Sequence, residues 1–335
     1  MRETLEGSTR PLWEAFDTAL IDLDGVTYRG PEGIPSSAPA LEAARAAGMT
    51  LVFATNNASR TPEEVSRHLT SLGIEAQPGE VVTAAQVAAS MLSERLTPGD
   101  RVLVIGGPAL RDEVEAKGFV VVESAEDRPV AVVQGWHPDV GWRRLAEASY
   151  AVRAGAFYLA TGRDSTLPSE RGIAPGNGPL VQAVVTASGI EPESAGKPSP
   201  RMFLEAVQRV SAQAPLVIGD RLDTDIAGAR AAGIPSLLVL TGVNTVRDAI
   251  FASPGERPSF IGETLESLAM PHPSPEAQNG SWRVGSATAR VVDGELLIEG
   301  AGGLDPGRAA CVAAWDAADR GDLVHVESLH ESGIK

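Results

Sequence analysis

The chain has 335 residues, 43% of them hydrophobic, enough to bury more than one core. With 44 acidic against 28 basic residues its formal charge is −16, which argues against a nucleic-acid backbone or an anionic membrane as partner. The single cysteine, Cys311, excludes an intramolecular disulfide and a cysteine-rich metal site, and no apolar run approaches membrane-spanning length.

The first residues, Met1 to Phe16, carry Glu3, Glu6 and Glu14 and no apolar signal-peptide stretch, so a cytoplasmic setting is expected. Strand Thr18–Ile21 leads to helix Ala38–Ala47, stopped by Gly48. Strand Thr50–Ala54 follows. Helix Pro62–Leu72 opens with Thr61 as N-cap, Pro62 at the first position and Glu64 closing a capping box. A second series begins near Thr83, with helices near Glu80–Leu96, Ala109–Lys117 and Val140–Arg153. Its strands are Val102–Ile105, Val120–Val122, Val130–Gln134 and Ala156–Ala160, before a helix around Pro179–Ser188. The first pattern then resumes as helix Pro200–Val210, strand Pro215–Ile218, helix Asp225–Ala232 and strand Ser236–Leu240. The strands are continuous apolar runs, as expected where helices cover both faces of a parallel sheet. Met270 to Pro275 is Pro-rich and reads as a linker. Beyond it, Trp282–Arg290 and Glu295–Glu299 form an expected hairpin around Asp293-Gly294, followed by helix Gly307–Ala318 and strand Leu323–Val326. The expected organisation is α/β: a Rossmann-like parallel-sheet core from residues 1–83 and 188–270, an inserted α/β domain at 84–187, and a small αβ appendix at 276–335.

Chemistry concentrates where strands end. Ala19-Leu20-Ile21-Asp22-Leu23-Asp24-Gly25 carries an apolar run into two aspartates, and carboxylates at such tips sit in the crevice where open α/β sheets bind ligands. Two close anions repel unless a cation joins them, and hard oxygen ligands suit Mg²⁺; as a lone signal they equally close a strand as turn residues. Thr55-Asn56-Asn57 ends the next strand with groups that suit a phosphate oxygen or an ordinary turn. Lys197, in Gly196-Lys197-Pro198, precedes a helix, and taken singly is a solvated lysine. Gly219-Asp220-Arg221-Leu222-Asp223-Thr224-Asp225 ends a third strand, where Asp225 also suits a helix N-cap. Together, three acidic or hydroxyl-bearing strand tips and a lysine converge on one sheet edge.

In this order the motifs resemble the haloacid dehalogenase-like (HAD) hydrolase superfamily, over roughly Asp17 to Leu268. The resemblance implies a HAD core with an inserted cap. It makes Asp22 the nucleophile and Asp24 the general acid/base, with Thr55, Asn56 and Asn57 holding the phosphoryl group and Lys197 steadying nucleophile and phosphate. It also implies Mg²⁺ on Asp22, Asp24 (through its backbone carbonyl) and Asp220, with Asp225 supporting the metal's water shell. An acid two residues after the nucleophile is what a phosphatase needs, because the departing alkoxide must receive a proton and a water must later lose one. The long stretch from Asn57 to Lys197 places the cap as in the NagD and phosphoglycolate phosphatase branch, and Thr161 to Ser165 with Pro175 to Gly178 resemble that branch's substrate loop. Arg163 and Asp164 then either meet the polar end of a small substrate or form a salt-bridged surface loop. The implied activity is Mg²⁺-dependent hydrolysis of a small phosphorylated metabolite, such as glycerol 3-phosphate, through an aspartyl phosphate. The alternatives are 2-phosphoglycolate or a nucleoside monophosphate as substrate, or a non-catalytic metal- and phosphate-binding sensor. A homodimer through the cap stays open. A dinucleotide site at Val104-Ile105-Gly106-Gly107-Pro108 lacks the spaced third glycine of that fingerprint. Because every candidate residue precedes the linker, cutting near Pro271 is expected to spare the chemistry, with solubility reduced if the appendix packs on the core.

Overall fold

The computed structural model describes residues 5–169 and 171–325. They fall into two compact units, one drawn from Met1–Val52, Leu72–Ile74 and Val207–Lys335, the other from Phe53–Ser71 and Glu75–Ala206. The first is built on the buried strands Thr18–Ile21 and Pro215–Gly219, paired in parallel with Thr18 opposite Pro215 and Ile21 opposite Ile218. Ser236–Val239 and then Phe260–Gly262 extend the sheet beyond Pro215–Gly219, also in parallel. On the other side of Thr18–Ile21 comes Thr50–Thr55, which begins in this unit and ends in the second. The chain thus leaves Thr18–Ile21 in one direction and returns on its opposite side. The carboxyl ends of Thr18–Ile21 and Pro215–Gly219 therefore flank a topological switch point, where open α/β sheets take their ligands.

In the second unit the end of the Thr50–Thr55 strand pairs in parallel with Val81–Thr83. A separate five-stranded parallel sheet runs in the order Glu193–Ser194, Phe157–Ala160, Ala131–Gln134, Arg101–Ile105, Val120–Val122. Helices Trp142–Arg153 and Asn177–Ser188 close one core through Ala148, Val152, Val181 and Val184 against Leu103, Ile105, Val132 and Tyr158. A hairpin, Thr166–Ser169 with Gly172–Pro175, projects between sheet and helix in the chain order.

Most expected elements stand within two or three residues, and the departures have local causes. The helix expected at Glu80–Leu96 is Ala84–Ser93, because Val81, Val82 and Thr83 are spent on a strand and Thr83 then caps the helix. Its hydroxyl accepts from the Gln86 N–H at 3.3 Å while Gln86 Oε1 accepts from the Thr83 N–H at 3.3 Å. The helix expected from Asp225 begins earlier, as a π-turn at Leu222–Ile226 that runs into Ala227–Ala232, so Asp225 is no N-cap. Phe260–Gly262 escaped the sequence reading.

The appendix departs most. Trp282–Arg290 is two strands, Ser281–Val284 and Ala287–Val292, broken at Gly285, which sits at φ +56. With Glu276–Gln278 and Glu295–Glu299 they form a four-stranded antiparallel meander. Asp293-Gly294 makes its expected turn with both residues at positive φ, and Asn279-Gly280 makes a second of the same kind. Leu323 to His325 form no strand, and Val326 lies outside the described residues. Helix Asp305–Arg320 is covered by the meander and by helix Val246–Ile250, which Gly307 approaches so closely that an added Cβ would lie 2.5 Å from Val246 Cγ1. Trp315, Cys311 and Ala313 share one apolar cluster with Leu222, Ile226 and Leu238 of the parallel-sheet region.

Candidate active site

In the first unit the acidic tips meet at the switch point. Asp22 extends the Thr18–Ile21 ladder by one bond, its N–H donating to Ile218 O at 2.8 Å, which fixes the half-buried side chain at the strand's end. The chain then turns at Gly25, φ +88, where an added Cβ would lie 2.4 Å from Asp220 Oδ2. Asp24 is exposed on this turn, with Gly30 N–H 3.4 Å from its Oδ1. Asp220 is fully buried, and its Oδ2 accepts from the Val243 N–H at 2.7 Å. Asp225, also buried, reaches back across the π-turn to accept from the Arg221 N–H at 3.2 Å. π-turns of this kind concentrate at functional sites because the extra residue re-aims a side chain.

Carboxylate oxygens of Asp22, Asp220 and Asp225 all lie within 4.8 Å of one another. Three anions so close, two of them buried, are costly without a cation. The set is all hard oxygen, with no histidine or cysteine in it, which fits Mg²⁺ and does not favour zinc. The Asp24 carboxylate is not one of the three. Neighbouring Asp223 turns outward into a two-point pair with Arg221, whose guanidinium holds its carboxyl below the ordinary aspartate value.

In the second unit Asn56 organises the polar groups. Its Nδ2 donates to both Asp164 oxygens at 3.2 and 3.3 Å and to Lys197 O at 3.1 Å, while its Oδ1 accepts from the Lys197 N–H at 2.8 Å. Lys197 is buried, with Nζ 3.2 Å from Ala54 O, so it is not a solvated lysine. Gly196 is required here, since an added Cβ would sit 2.6 Å from Asn56 Oδ1 and 2.5 Å from Thr161 O. Thr55 is buried and its Oγ1 accepts from the Asn57 N–H at 3.1 Å. Asn57 itself turns to the following residues: its Oδ1 accepts from Ser59 N–H and Oγ–H at 2.8 and 2.7 Å.

The loop pair separates. Asp164 joins Asn56, whereas Arg163 points to Glu191 in an exposed ion pair at 2.8 Å. Gly176-Asn177-Gly178 clamps the loop from beneath. Asn177 Nδ2 donates to Gly162 O at 2.7 Å, and Gly178 N–H to Asp164 O at 2.9 Å. A Cβ on Gly176 or Gly178 would lie 2.3 or 2.6 Å from the loop's carbonyl oxygens.

Sequence reasoning missed Thr241-Gly242-Val243-Asn244. These residues follow the tip of strand Ser236–Val239 and wrap Asp220: Asn244 N–H donates to Asp220 O at 3.1 Å and Asn244 Oδ1 accepts from the Leu222 N–H at 2.8 Å. Thr241 also ties down the Gly25 turn, its hydroxyl donating to Gly25 O at 2.6 Å and its carbonyl accepting from Arg29 Nε at 2.5 Å. A glycine and an asparagine just past a buried strand were the available signal.

Family models match twice: one for haloacid dehalogenase-like hydrolases over residues 19–120, and a HAD-hydrolase-like one over 194–268. The D-glycerol 3-phosphate phosphatase of Mycobacterium tuberculosis is 46% identical over 312 residues, which is 91% of this chain and 87% of that protein. The acid sugar phosphatase of Staphylococcus aureus is 35% identical over 235 residues, 70% of this chain and 90% of its own. Among solved structures, the M. tuberculosis glycerol phosphate phosphatase in complex with magnesium superposes with a TM-score of 0.86 at 45% identity, covering 92% of this chain and 93% of that one.

Proposed function

The chain belongs to the haloacid dehalogenase-like hydrolases and is a Mg²⁺-dependent phosphatase, and we propose that it hydrolyses a small polyol phosphate, glycerol 3-phosphate foremost, through an aspartyl phosphate on Asp22. The observation that carries this reading is the cluster of Asp22, Asp220 and Asp225 oxygens within 4.8 Å at the switch point. Asp22, Asp220 and the Asp24 backbone carbonyl are the groups assigned to the metal, with Asp225 behind them. When bound, Mg²⁺ offsets repulsion between carboxylate and phosphate dianion and stabilises the charge on the transferring group.

Asp22 Oδ attacks phosphorus, the bond to the ester oxygen breaks, and Asp24 protonates the departing alkoxide. Asp24 then takes a proton from the water that attacks the phosphorus of the acyl phosphate, which releases inorganic phosphate and restores Asp22. The resemblance assigns the phosphoryl oxygens to Thr55, Asn56 and Lys197. The Asn56 amide is spent on Asp164 and Lys197, which leaves its backbone N–H for that role, and the Lys197 ammonium neutralises part of the charge.

Substrate choice is read at Asp164. Asn56 holds that carboxylate by both oxygens, leaving it lone pairs for hydroxyl donors. A carboxylate there attracts a polyol and repels the carboxylate of 2-phosphoglycolate. The M. tuberculosis relative is named for D-glycerol 3-phosphate, which supports the same choice. Among the described residues no helix is long and apolar enough to cross a membrane, and a cytoplasmic location for a small-metabolite phosphatase agrees with the single buried cysteine. Phosphate release across glycerol 3-phosphate, 2-phosphoglycolate, sugar phosphates and nucleoside monophosphates tests the reading. Glycerol 3-phosphate is expected to give the highest kcat/KM, and a nucleotide or 2-phosphoglycolate at the top of the ranking would overturn it.

A further inference from the structure

Outside these residues the second unit carries an open cleft of about 570 Å³, lined on one side by Arg60, Arg67 and His68 and on the other by Trp136 and His137. Its volume is within the usual range for a small-molecule site. Residues Arg60, Glu64, Arg67, His68 and Ser71 recur at helical spacing on and just before helix Pro62–Ser71, so one face of that helix forms the wall.

The charge of the cleft runs against that of the chain, which is −16 overall. Arg95, Arg111, Arg144, Arg163 and Arg201 of the same unit each hold a glutamate. Among the described residues neither Arg60 nor Arg67 has an ion pair. Glu64, the acid in the lining, is committed to the capping box, its Oε2 accepting from the Thr61 N–H at 2.9 Å. His137 Nδ1 accepts from the Asp139 N–H at 3.3 Å and lies 3.7 Å from Asp139 Oδ2, with Nε2 as the ring's other nitrogen. Burial first, then the Arg60 charge, lowers the pKa of His68.

Gly107, of the double glycine at Gly106-Gly107, backs the His137 side of this wall. A Cβ on Gly107 would lie 2.6 Å from His137 Cδ2, and one on Gly106 would lie 3.0 Å from Leu110 Cδ2. The missing Cβ of Gly107 lets the His137 ring lie against the chain at the start of helix Pro108–Ala116.

We propose that this cleft binds a small organic anion carrying at least two phosphate or carboxylate groups. Arg60, just before helix Pro62–Ser71, and Arg67, within it, bring two arginines to one cleft. Two anionic groups on one carbon skeleton give each arginine its own partner in charge-assisted hydrogen bonds. The Trp136 indole supplies an apolar wall for the skeleton, and Ser59, whose Oγ and N–H both bond Asn57 Oδ1, joins the cleft to the Thr55 to Asn57 loop.

The test is calorimetric titration of the metal-free full-length protein in EDTA at low salt, where no turnover occurs and the substrate reading is not at stake. Two probes separate the sources: glucose 1,6-bisphosphate carries phosphates only, tricarballylate carboxylates only. At least one is expected to bind at one per chain, and Arg60→Ala/Arg67→Ala should weaken it about tenfold or more. Arg60→Gln/Arg67→Gln repeats the loss of charge with the side chains' length kept. Turnover of p-nitrophenyl phosphate by both double variants should stay within about twofold of the parent. No binding of either probe up to about 10 mM, binding unaltered in both double variants, or collapse of p-nitrophenyl phosphate turnover in them would each overturn the proposal.

Discussion

Asp220 is packed so tightly that two glycines are needed to seat it, and one of them lay outside every motif read from the sequence. A Cβ at Gly242 would lie 1.9 Å from Asp220 Oδ2, and the buried carboxylate has no room to retreat. Gly242→Ala should therefore raise the Mg²⁺ concentration for half-maximal activity by about tenfold or more and destabilise the fold by about 1–3 kcal/mol. Mg²⁺ titration of p-nitrophenyl phosphate turnover and thermal unfolding measure the two effects; a normal metal requirement would show that Asp220 is not a ligand. Asp22→Asn keeps the shape of the strand tip but is a far poorer nucleophile, so kcat should fall on the order of a thousandfold or more with an unchanged circular dichroism spectrum. Near-normal turnover would remove the aspartyl-phosphate mechanism. For Arg163 and Asp164 the structure divides a pair that sequence treated together. Arg163 is exposed and bonded to Glu191, while Asp164 shares Asn56 with Lys197. Asp164→Ala should change the ratio of kcat/KM for glycerol 3-phosphate to that for p-nitrophenyl phosphate by about tenfold, and Arg163→Ala by much less. Equal effects of the two substitutions would contradict that division.

At the scale of elements, local signals were legible where a side chain meets its own backbone. Thr61-Pro62-Glu63-Glu64 announced its helix, and the structure has both bonds of the capping box, at 2.9 and 3.3 Å. Thr61→Ala should cost about 1 kcal/mol in thermal or urea unfolding. The same signature at Thr83 and Gln86 was passed over because the valines before it extend the apolar run that a helix also shows. The π-turn at Leu222–Ile226 was not legible, since nothing in Leu222 to Ile226 distinguishes it from an ordinary first helical turn. It exists because the buried Asp225 carboxylate turns back to the Arg221 N–H while Leu222 and Ile226 reach into the apolar cluster under helix Asp305–Arg320.

That shared cluster packs the appendix on the core and makes truncation near Pro271 a matter of stability. Trp315 is almost fully buried, its Nε1 donates to Ala249 O at 2.9 Å, and Arg257 stacks over its ring while pairing with Asp319 at 2.8 Å. Arg308 donates to Ile261 O at 2.6 Å. The Pro-rich linker is tied down as well: His272 is buried, exchanges two backbone bonds with Ser8 and lies against the Phe260 ring. Ending the chain at Pro271 would uncover Leu222 and Ile226, whose turn carries Asp225. The truncated protein should aggregate or melt well below the full chain, and Trp315→Ala alone should cost about 3–5 kcal/mol. A truncated form melting within a degree or two of the full chain would refute this. Burial chiefly lowers the His272 pKa, with the Arg308 charge adding to the effect against the Ser267 carbonyl. Below the ordinary histidine value the unfolded chain takes up a proton that the native ring refuses, so stability is present above about pH 6.5 and is lost as pH falls. Melting curves from pH 7.5 to 5 should show that decline, with a shallower slope in His272→Gln.

The sequence by itself determined what depends on neighbours along the chain. Apolar runs made the buried strands, turn and cap residues ended them, and acidic or hydroxyl residues at Asp22, Thr55 and Asp220 marked the strand tips. The order of those tips was enough to identify the superfamily, because that chemistry needs a fixed set of groups. Tertiary structure alone decided which groups meet: Asp225 with Asp22 and Asp220, Asn56 with Asp164 and Lys197, Gly242 beneath Asp220, and helix Asp305–Arg320 on the π-turn. Several of those contacts join residues more than a hundred positions apart. Local propensity carries no record of such encounters; they are set by which apolar faces are left to cover one another once the strands have formed.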